Sequence, residues 1–210
     1  RIVLWFDACL FDQSMLSHIL TCLRRQEIQT VDLLCIDAFP GIELFDGLGQ
    51  LSPQQLASLF NKRQPVTPEQ FEFAVIVDRA FADQGIAELA LLPAYRDAPL
   101  PWVPAAVARW LEEIPNPKTG LGRLEQLALD AIRGGCETPR EIYGNVSARD
   151  SHPQFWGDTM LWAKINGLAD RRPPLVKIEG PKKRLPQWDS DVELSCFRVS
   201  SPLNDGREPA

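Results

Sequence analysis

Three aspartates near the ends of two apolar segments are the residues best placed to bind a metal ion. Asp7 follows the apolar run of residues 2–6, Asp12 lies five residues later, and Asp37 follows the run of residues 31–36. If both runs are parallel strands of one sheet, their carboxyl ends lie at the edge where α/β proteins bind ligands. Converging carboxylates hold divalent metals such as Mg²⁺ or Mn²⁺. The alternative is structural: Asp12 caps a helix, and Asp7 and Asp37 end their strands at the solvent.

A second group of residues that could carry chemistry is basic and lies toward the end of the chain. The group consists of Arg171, Arg172, Lys182, Lys183 and Arg184. Residues 118–188 have a net charge of +4, whereas residues 1–117 have one of −7. Because phosphate contacts dominate affinity for nucleic acids, the basic group predicts a nucleic-acid-binding surface. The alternatives are a solvated face, a docking surface for the acidic first domain, and a module that binds another protein.

The elements that would position the aspartates form a strand–helix–strand unit. Continuous apolar runs such as 2–6 and 31–36 are typical of strands buried on both faces of a parallel sheet. Apolar residues at helical spacing predict a helix over residues 13–25 between them. Together these segments have the size of one right-handed βαβ unit. We therefore expect two parallel neighbouring strands, in a small Rossmann-like α/β domain with several helices over residues 1–117.

The basic group belongs to a second predicted domain, residues 118–199, which is followed by a polar tail at 200–210. Three amphipathic helices are expected, the last of them capped by Asp158 and stopped by Pro173-Pro174. A hairpin with strands at 175–179 and 192–199 follows, and three helices before a hairpin are the order of a winged-helix-like α+β domain. The segment between the second and third helices is longer than a helix-turn-helix turn.

Three predicted helices begin with the same capping motif. Ser52, Thr67 and Thr138 are each followed by proline and, three positions later, by Glu or Gln. The hydroxyl caps a free N–H of the first turn, proline fits the first helical position, and the Glu or Gln returns to the cap residue. These capping boxes predict where helices begin and carry no functional information.

The composition limits the class of protein. Hydrophobic residues make up 45% and charged residues 24% of the chain, which is typical of a globular protein. No apolar run approaches the roughly 20 residues that cross a bilayer, and the first residues do not form a signal peptide. We therefore expect a cytoplasmic protein without a membrane partner. Since the chain enters a strand at once and has no initiator Met, we also expect further residues upstream.

The spacing of the cysteines and histidines in the sequence does not predict a metal site. The cysteines are Cys9, Cys22, Cys35, Cys136 and Cys196. Their odd number and the absence of a Cys-x-x-Cys pair predict free thiols that pack as small hydrophobic residues in a reducing compartment. His18 and His152 lie far apart, and neither is expected to have a cysteine or histidine at ligand spacing. We therefore expect no zinc site based on histidine.

A series of short motifs runs in a fixed order through nearly the whole chain up to about Trp188. The motifs are Leu4-Trp5-Phe6, Phe11-Asp12-Gln13, Gly47-Leu48-Gly49-Gln50-Leu51, Arg63-Gln64-Pro65-Val66-Thr67, Ala80-Phe81, Leu100-Pro101-Trp102, Thr119-Gly120-Leu121 with Glu125, Thr138-Pro139, and Gly157-Asp158 with Trp162. In this order they resemble the bacterial family called domain of unknown function 1835, with its usual C-terminal companion domain. The resemblance implies the two-domain architecture and brings no established activity. Relatives often carry an acid, a histidine and an acid where this chain has Asp7-Ala8-Cys9. They also carry a Gly-Asp motif farther upstream, which is absent from this sequence.

Two hypotheses of function follow from the two groups of residues. In the first, the protein is a non-enzymatic binding or regulatory protein that uses its winged-helix-like domain to contact nucleic acid or a protein partner. In the second, it is a metal- or nucleotide-dependent enzyme with a site at the carboxyl edge of the first sheet. The basic group has more members than the acidic group, so the first hypothesis is favoured.

Overall fold

The computed structural model describes residues 1–83, 85–188 and 192–202, and the chain divides into two compact units. The first unit comprises Arg1–Leu111 and His152–Phe155, and the second comprises Glu112–Ser151 and Trp156–Ala210. The boundary predicted from the sequence lies six residues later, at 117/118, and no part of the later chain was predicted to belong to the first domain. Most of the predicted tail, residues 203–210, lies outside the described residues.

The described chain is a mixed α/β protein with eight α-helices and two small sheets. The strands are β1 (Ile2–Asp7), β2 (Val31–Ile36), β3 (Gln64–Pro65), β4 (Lys177–Glu179) and β5 (Arg198–Ser200). The helices are α1 (Leu10–Arg25), α2 (Pro53–Leu59), α3 (Pro68–Ala82), α4 (Ile86–Leu91), α5 (Val103–Leu111), α6 (Arg123–Arg133), α7 (Pro139–Arg149) and α8 (Asp158–Asp170). Among the described residues, no helix is long and apolar enough to cross a membrane.

The first sheet confirms the predicted parallel pair. Strands β1 and β2 are hydrogen-bonded neighbours in parallel, with Ile2 opposite Val31 and Asp7 opposite Ile36. The short β3 pairs with the other side of β2 in the antiparallel direction, so the strand order is β1-β2-β3. Val31, Leu33 and Leu34 of β2 are buried, as the apolar run predicts, and so is Asp32. Asp7 therefore ends a strand at the carboxyl edge of the parallel pair.

Helix α1 lies between β1 and β2 in sequence and packs against α3. Both helices bury apolar residues completely: Leu16 and Leu20 of α1, and Ala74 and Val77 of α3. Burying a Leu or Val side chain contributes about 1.5–3 kcal/mol, so the hydrophobic effect favours this packing. This packing fixes the polar residues that α1 and α3 carry at the margin of the contact.

The three capping boxes are confirmed, whereas two predicted caps are wrong. Ser52, Thr67 and Thr138 each accept a hydrogen bond at 3.3 Å from the backbone N–H three residues later, and the Gln or Glu side chain there returns to the cap residue. Asp12 does not cap α1, because the helix begins at Leu10 and places Asp12 inside its first turn. Asp158 likewise is the first residue of α8, which Gly157 precedes as the cap residue.

The second unit contains α6, α7 and α8 followed by the antiparallel pair β4 and β5. Its core is formed by completely or almost completely buried side chains of all three helices and of β5, among them Leu161, Ile165 and Val199, together with Phe197 just before β5. Ile178 of β4 is partly buried and packs against this core. The predicted return strand at 192–199 is wrong in extent, because Leu194–Cys196 form a 3-10 turn and the strand comprises only Arg198–Ser200. The connection between β4 and β5 is therefore long.

The segment His152–Phe155 belongs to the first unit although the chain on both sides of it belongs to the second. Within the first unit, the Phe155 ring meets the Phe11 ring edge to face, with 6.0 Å between centroids. The guanidinium of Arg109, a side chain only 2% exposed, lies 5.2 Å from the same ring. Aromatic and cation–π contacts of this kind each contribute about 0.5–2 kcal/mol.

Candidate functional site

The carboxylate of Asp7 ties the end of β1 to two neighbouring turns. One oxygen accepts a hydrogen bond from the backbone N–H of Cys9 at 2.9 Å, and the other accepts one from Leu48 at 3.4 Å. Gly47 makes this approach possible: its φ is +132°, and a Cβ there would lie 2.5 Å from the Asp7 Oδ2 atom. Asp7 thus has a structural role, and the motif Gly47-Leu48-Gly49 serves as its turn.

Asp12 and Cys9 complete the group around Asp7. Asp12 Oδ2 accepts the backbone N–H of Asp7 at 2.6 Å. Burial raises the pKa of the Asp12 carboxyl, and the nearby Asp7 carboxylate raises it further, while the hydrogen bond from Asp7 opposes both. Burial also raises the pKa of the Cys9 thiol to about 12. At neutral pH, Cys9 is therefore protonated, and a metal would have to displace its proton.

The structure brings together two of the three predicted metal ligands. One ligand atom from each of Asp7, Cys9 and Asp12 lies within 4.8 Å of the others. Asp37 is exposed at the end of β2 and does not belong to this group, although it lines the same cavity as Asp7. The three grouped residues offer two carboxylates and one thiol, a donor set suited to a divalent metal through its oxygens.

The cavity beside this group has a volume of about 240 Å³ and lies entirely within the first unit. Its wall includes Asp46, Trp102 and His152, none of which the sequence analysis assigned to the sheet edge. His152 is 145 residues away from Asp7 in sequence, so neither spacing nor local chemistry indicates that they share a cavity. An aromatic ring, an imidazole and several carboxylates in one cavity are typical of a site for a polar ligand.

The five predicted nucleic-acid-binding residues separate into two places. Arg171 donates to the Gly120 carbonyl oxygen at 2.7 Å and lies 3.9 Å from a carboxylate oxygen of Glu125, and the exposed Arg172 follows it after α8. Lys182, Lys183 and Arg184 line a separate surface depression of about 480 Å³. Arg184 forms an ion pair with Asp170 there. Arg171 has a structural role and does not line this depression.

An exposed tryptophan lies in the same depression as the three basic residues. Trp188 is 88% exposed, the most exposed of the large hydrophobic side chains among the described residues. We call the surface formed by Lys182, Lys183, Arg184, Gln187 and Trp188 the basic aromatic surface. Trp156 and Trp162, by contrast, are 7% and 3% exposed and belong to the core of the second unit.

One buried residue holds the basic aromatic surface in place. Leu185 is 1% exposed and belongs to the core of the second unit. Its backbone N–H donates to Asn166 Oδ1 at 2.8 Å, and its carbonyl oxygen accepts from Asn166 Nδ2 at 3.0 Å. Lys182, Lys183 and Arg184 precede Leu185, and Trp188 follows it. The hydrogen bonds from Leu185 to Asn166 therefore attach this surface to α8.

A third polar group lies where α1 packs against α3. His18 Nδ1 is 2.9 Å from Asp78 Oδ1, and His18 Nε2 is 3.6 Å from Cys22 Sγ. The expectation that no cysteine lies at ligand spacing from either histidine is therefore wrong, since His18 and Cys22 are four residues apart on one helix. All five cysteines are free thiols; Cys196 is exposed and the other four are half-buried, so none packs as a fully buried residue.

Comparison with family models, curated proteins and solved structures found no match for the chain. The resemblance to domain of unknown function 1835 therefore stays a prediction.

Proposed function

We propose that the second unit is a binding module for single-stranded nucleic acid and that the basic aromatic surface is its binding site. The observation that carries the proposal is the 88% exposure of Trp188 beside Lys182, Lys183 and Arg184. Proteins that bind single strands combine positive charge along the backbone with aromatic rings on which bases stack. This surface offers both within one depression.

The arrangement of elements supports a winged-helix-like assignment for this unit. Three helices, α6 to α8, are followed by the antiparallel pair β4 and β5. The basic aromatic surface lies in the connection between the two strands, where a wing would be. In the first unit, the parallel β1-α1-β2 arrangement supports the Rossmann-like assignment in the same way.

The charges of this surface favour a weak interaction. Arg184 already pairs with Asp170, so a phosphate has to compete for it. Lys182 and Lys183 are exposed at the surface. Residues 189–210 have a net charge of −3, which opposes an anionic ligand. We therefore expect binding at low ionic strength that weakens steeply with salt.

The experiment is fluorescence anisotropy of labelled single-stranded and duplex oligonucleotides, titrated with the full chain across a salt series. Replacing both Lys182 and Lys183 by alanine removes two phosphate contacts, and the slope of log K against log salt should fall by about 1.4 on a single strand. Trp188→Ala should weaken binding by about fivefold to 150-fold through lost stacking, whereas Trp188→Phe should retain most of it.

A matched control uses two exposed basic residues of the same unit outside the surface. Replacing Lys118 and Arg140 by alanine changes the net charge by the same amount and should leave the slope nearly unchanged. No binding at low ionic strength, or equal losses in both double variants, would contradict the proposal. Equal affinity for single strands and duplexes would show that Trp188 does not stack on bases.

The sheet edge of the first unit supports a second candidate function, a site that binds a polar ligand through a divalent cation. The supporting observation is the grouping of Asp7, Cys9 and Asp12 donor atoms within 4.8 Å beside the cavity. Each Asp7 oxygen already accepts a backbone hydrogen bond, which is why this candidate ranks second.

Terbium luminescence tests the second candidate. Trp102 lines the cavity and can transfer excitation energy to a bound Tb³⁺ ion, so binding should produce sensitised emission. Asp12→Asn and Asp37→Asn should weaken it, whereas Asp97→Asn, at an exposed position outside the cavity lining, should not. Emission that survives unchanged in both Asp12→Asn and Asp37→Asn would exclude a cation at the sheet edge.

A further inference from the structure

We propose that His18 and Cys22 bind a transition metal ion of the Zn²⁺ type, with Asp78 positioning the imidazole. This site lies on α1 and α3 and is independent of the function proposed above. Residues four apart on a helix lie on the same face, one turn apart. The His18 Nε2 and Cys22 Sγ atoms are accordingly 3.6 Å from each other.

The separation of these two atoms is the one that tetrahedral zinc requires. Zinc lies about 2.0–2.1 Å from a histidine nitrogen and about 2.3 Å from a cysteine sulfur. With a tetrahedral angle at the metal, these bond lengths place nitrogen and sulfur about 3.5–3.6 Å apart. The observed 3.6 Å therefore lets one ion bind both atoms without moving the backbone of α1.

Asp78 supplies the second contact that histidine ligands of metals usually make. Its Oδ1 atom is 2.9 Å from His18 Nδ1, and its side chain is only 14% exposed. A proton on Nδ1 donated to this carboxylate leaves the lone pair of Nε2 facing Cys22. Because α1 and α3 pack through buried aliphatic residues, the carboxylate is held at a fixed distance from the ring.

The donor set selects among metals. One thiolate and one imidazole suit Zn²⁺ or Co²⁺ better than Mg²⁺ or Ca²⁺, which prefer oxygen ligands. On binding, the S–H bond of Cys22 breaks, its proton leaves to solvent, and the sulfur bonds to the metal without any transfer of electrons between them. The His18 side chain is 64% exposed, so water completes the coordination.

The same separation also fits a plain S–H···N hydrogen bond, and the experiment distinguishes the two. Titration of the full reduced chain with Co²⁺ should produce a thiolate-to-cobalt charge-transfer band in the near ultraviolet that saturates at one ion per chain. Cys22→Ser should abolish the band while keeping the size of the side chain. His18→Gln should weaken binding and change the band. Zn²⁺ added afterwards should remove it.

Two further variants separate the roles. Asp78→Asn should retain the band but weaken Co²⁺ binding by about 10–100-fold, the usual effect of losing a partner of a metal-bound histidine. Cys196→Ser, which removes an exposed thiol that belongs to neither metal-binding group, should leave both the band and its affinity unchanged. A band that persists in Cys22→Ser, one that disappears in Cys196→Ser, or no band in the unaltered chain would overturn the proposal.

Discussion

The hydrogen bonds between Asn166 and Leu185 predict a large and local effect of one substitution. Asn166→Ala leaves the buried N–H and C=O of Leu185 without their partners at 2.8 and 3.0 Å. Each unsatisfied buried group costs about 1–3 kcal/mol, so the free energy of unfolding of the second unit should fall by about 2–6 kcal/mol. The exchange rate of the Leu185 amide hydrogen should rise by at least about 30-fold, the equivalent of 2 kcal/mol.

Asn166→Asp removes only one of the two hydrogen bonds. A carboxylate still accepts from the Leu185 N–H but cannot donate to the Leu185 carbonyl oxygen. Burial and the facing carbonyl should raise the pKa of the new carboxyl in the folded state above its unfolded value near 3.9. The loss of stability should therefore be present at neutral pH and shrink as the pH falls through the folded pKa, where a protonated carboxyl donates again.

Urea unfolding and amide hydrogen exchange measure both effects, with Asn145→Ala as the matched control. Asn145 accepts only a surface contact of 3.4 Å from Arg149, so its replacement should change stability by less than about 0.5 kcal/mol. A loss below about 1 kcal/mol for Asn166→Ala, or a loss for Asn166→Asp that does not depend on pH, would refute the assignment of Leu185 as the anchor of the basic aromatic surface.

Four smaller predictions test other contacts. Thr138→Ala should lower the free energy of unfolding by about 1 kcal/mol in urea, through loss of the N-cap. Gly47→Ala should be clearly destabilising in a thermal melt, since its positive φ and the carboxylate 2.5 Å from the new Cβ both oppose a side chain. Asp12→Asn should stabilise the protein more at pH 7 than at pH 3, because burial raises the folded pKa of this carboxyl and ionising it disfavours the folded state. At pH 8, iodoacetamide should label Cys196 before Cys9, whose pKa is raised to about 12, as peptide mass spectrometry of a time course can show.

The elements that could be predicted from the sequence are those whose signal is local. The apolar runs at residues 2–6 and 31–36 indicated β1 and β2 and their parallel pairing, although most of β1 is only half-buried and β2 also buries Asp32. The capping boxes at Ser52 and Thr138 need only residues within one turn. The cap residue of α1, Cys9, makes no side-chain hydrogen bond. The sequence therefore has no capping motif there, and the predicted start of α1 at residue 13 was too late.

The residues that were missed depend on distant parts of the chain. His152 reaches the sheet edge, and Asp78 reaches His18, through packing that no spacing encodes. The exposure of Trp188 contradicts the usual preference of tryptophan for the core, so residue type alone pointed away from it. The sequence shows that His18 and Cys22 are four residues apart, but it does not show that the Asp78 carboxylate of the neighbouring helix contacts His18.

The segment His152–Phe155 has a consequence for how this chain can be divided or recombined. Since it lies in the first unit between two stretches of the second, the backbone passes from one unit to the other three times. A fragment that ends at Leu111 lacks Phe155, so Phe11 loses its ring partner and the buried Arg109 loses its cation–π contact. No single break in the gene yields both units intact. An exchange of the second unit between related chains would have to keep these four residues with the first unit, which requires three crossovers.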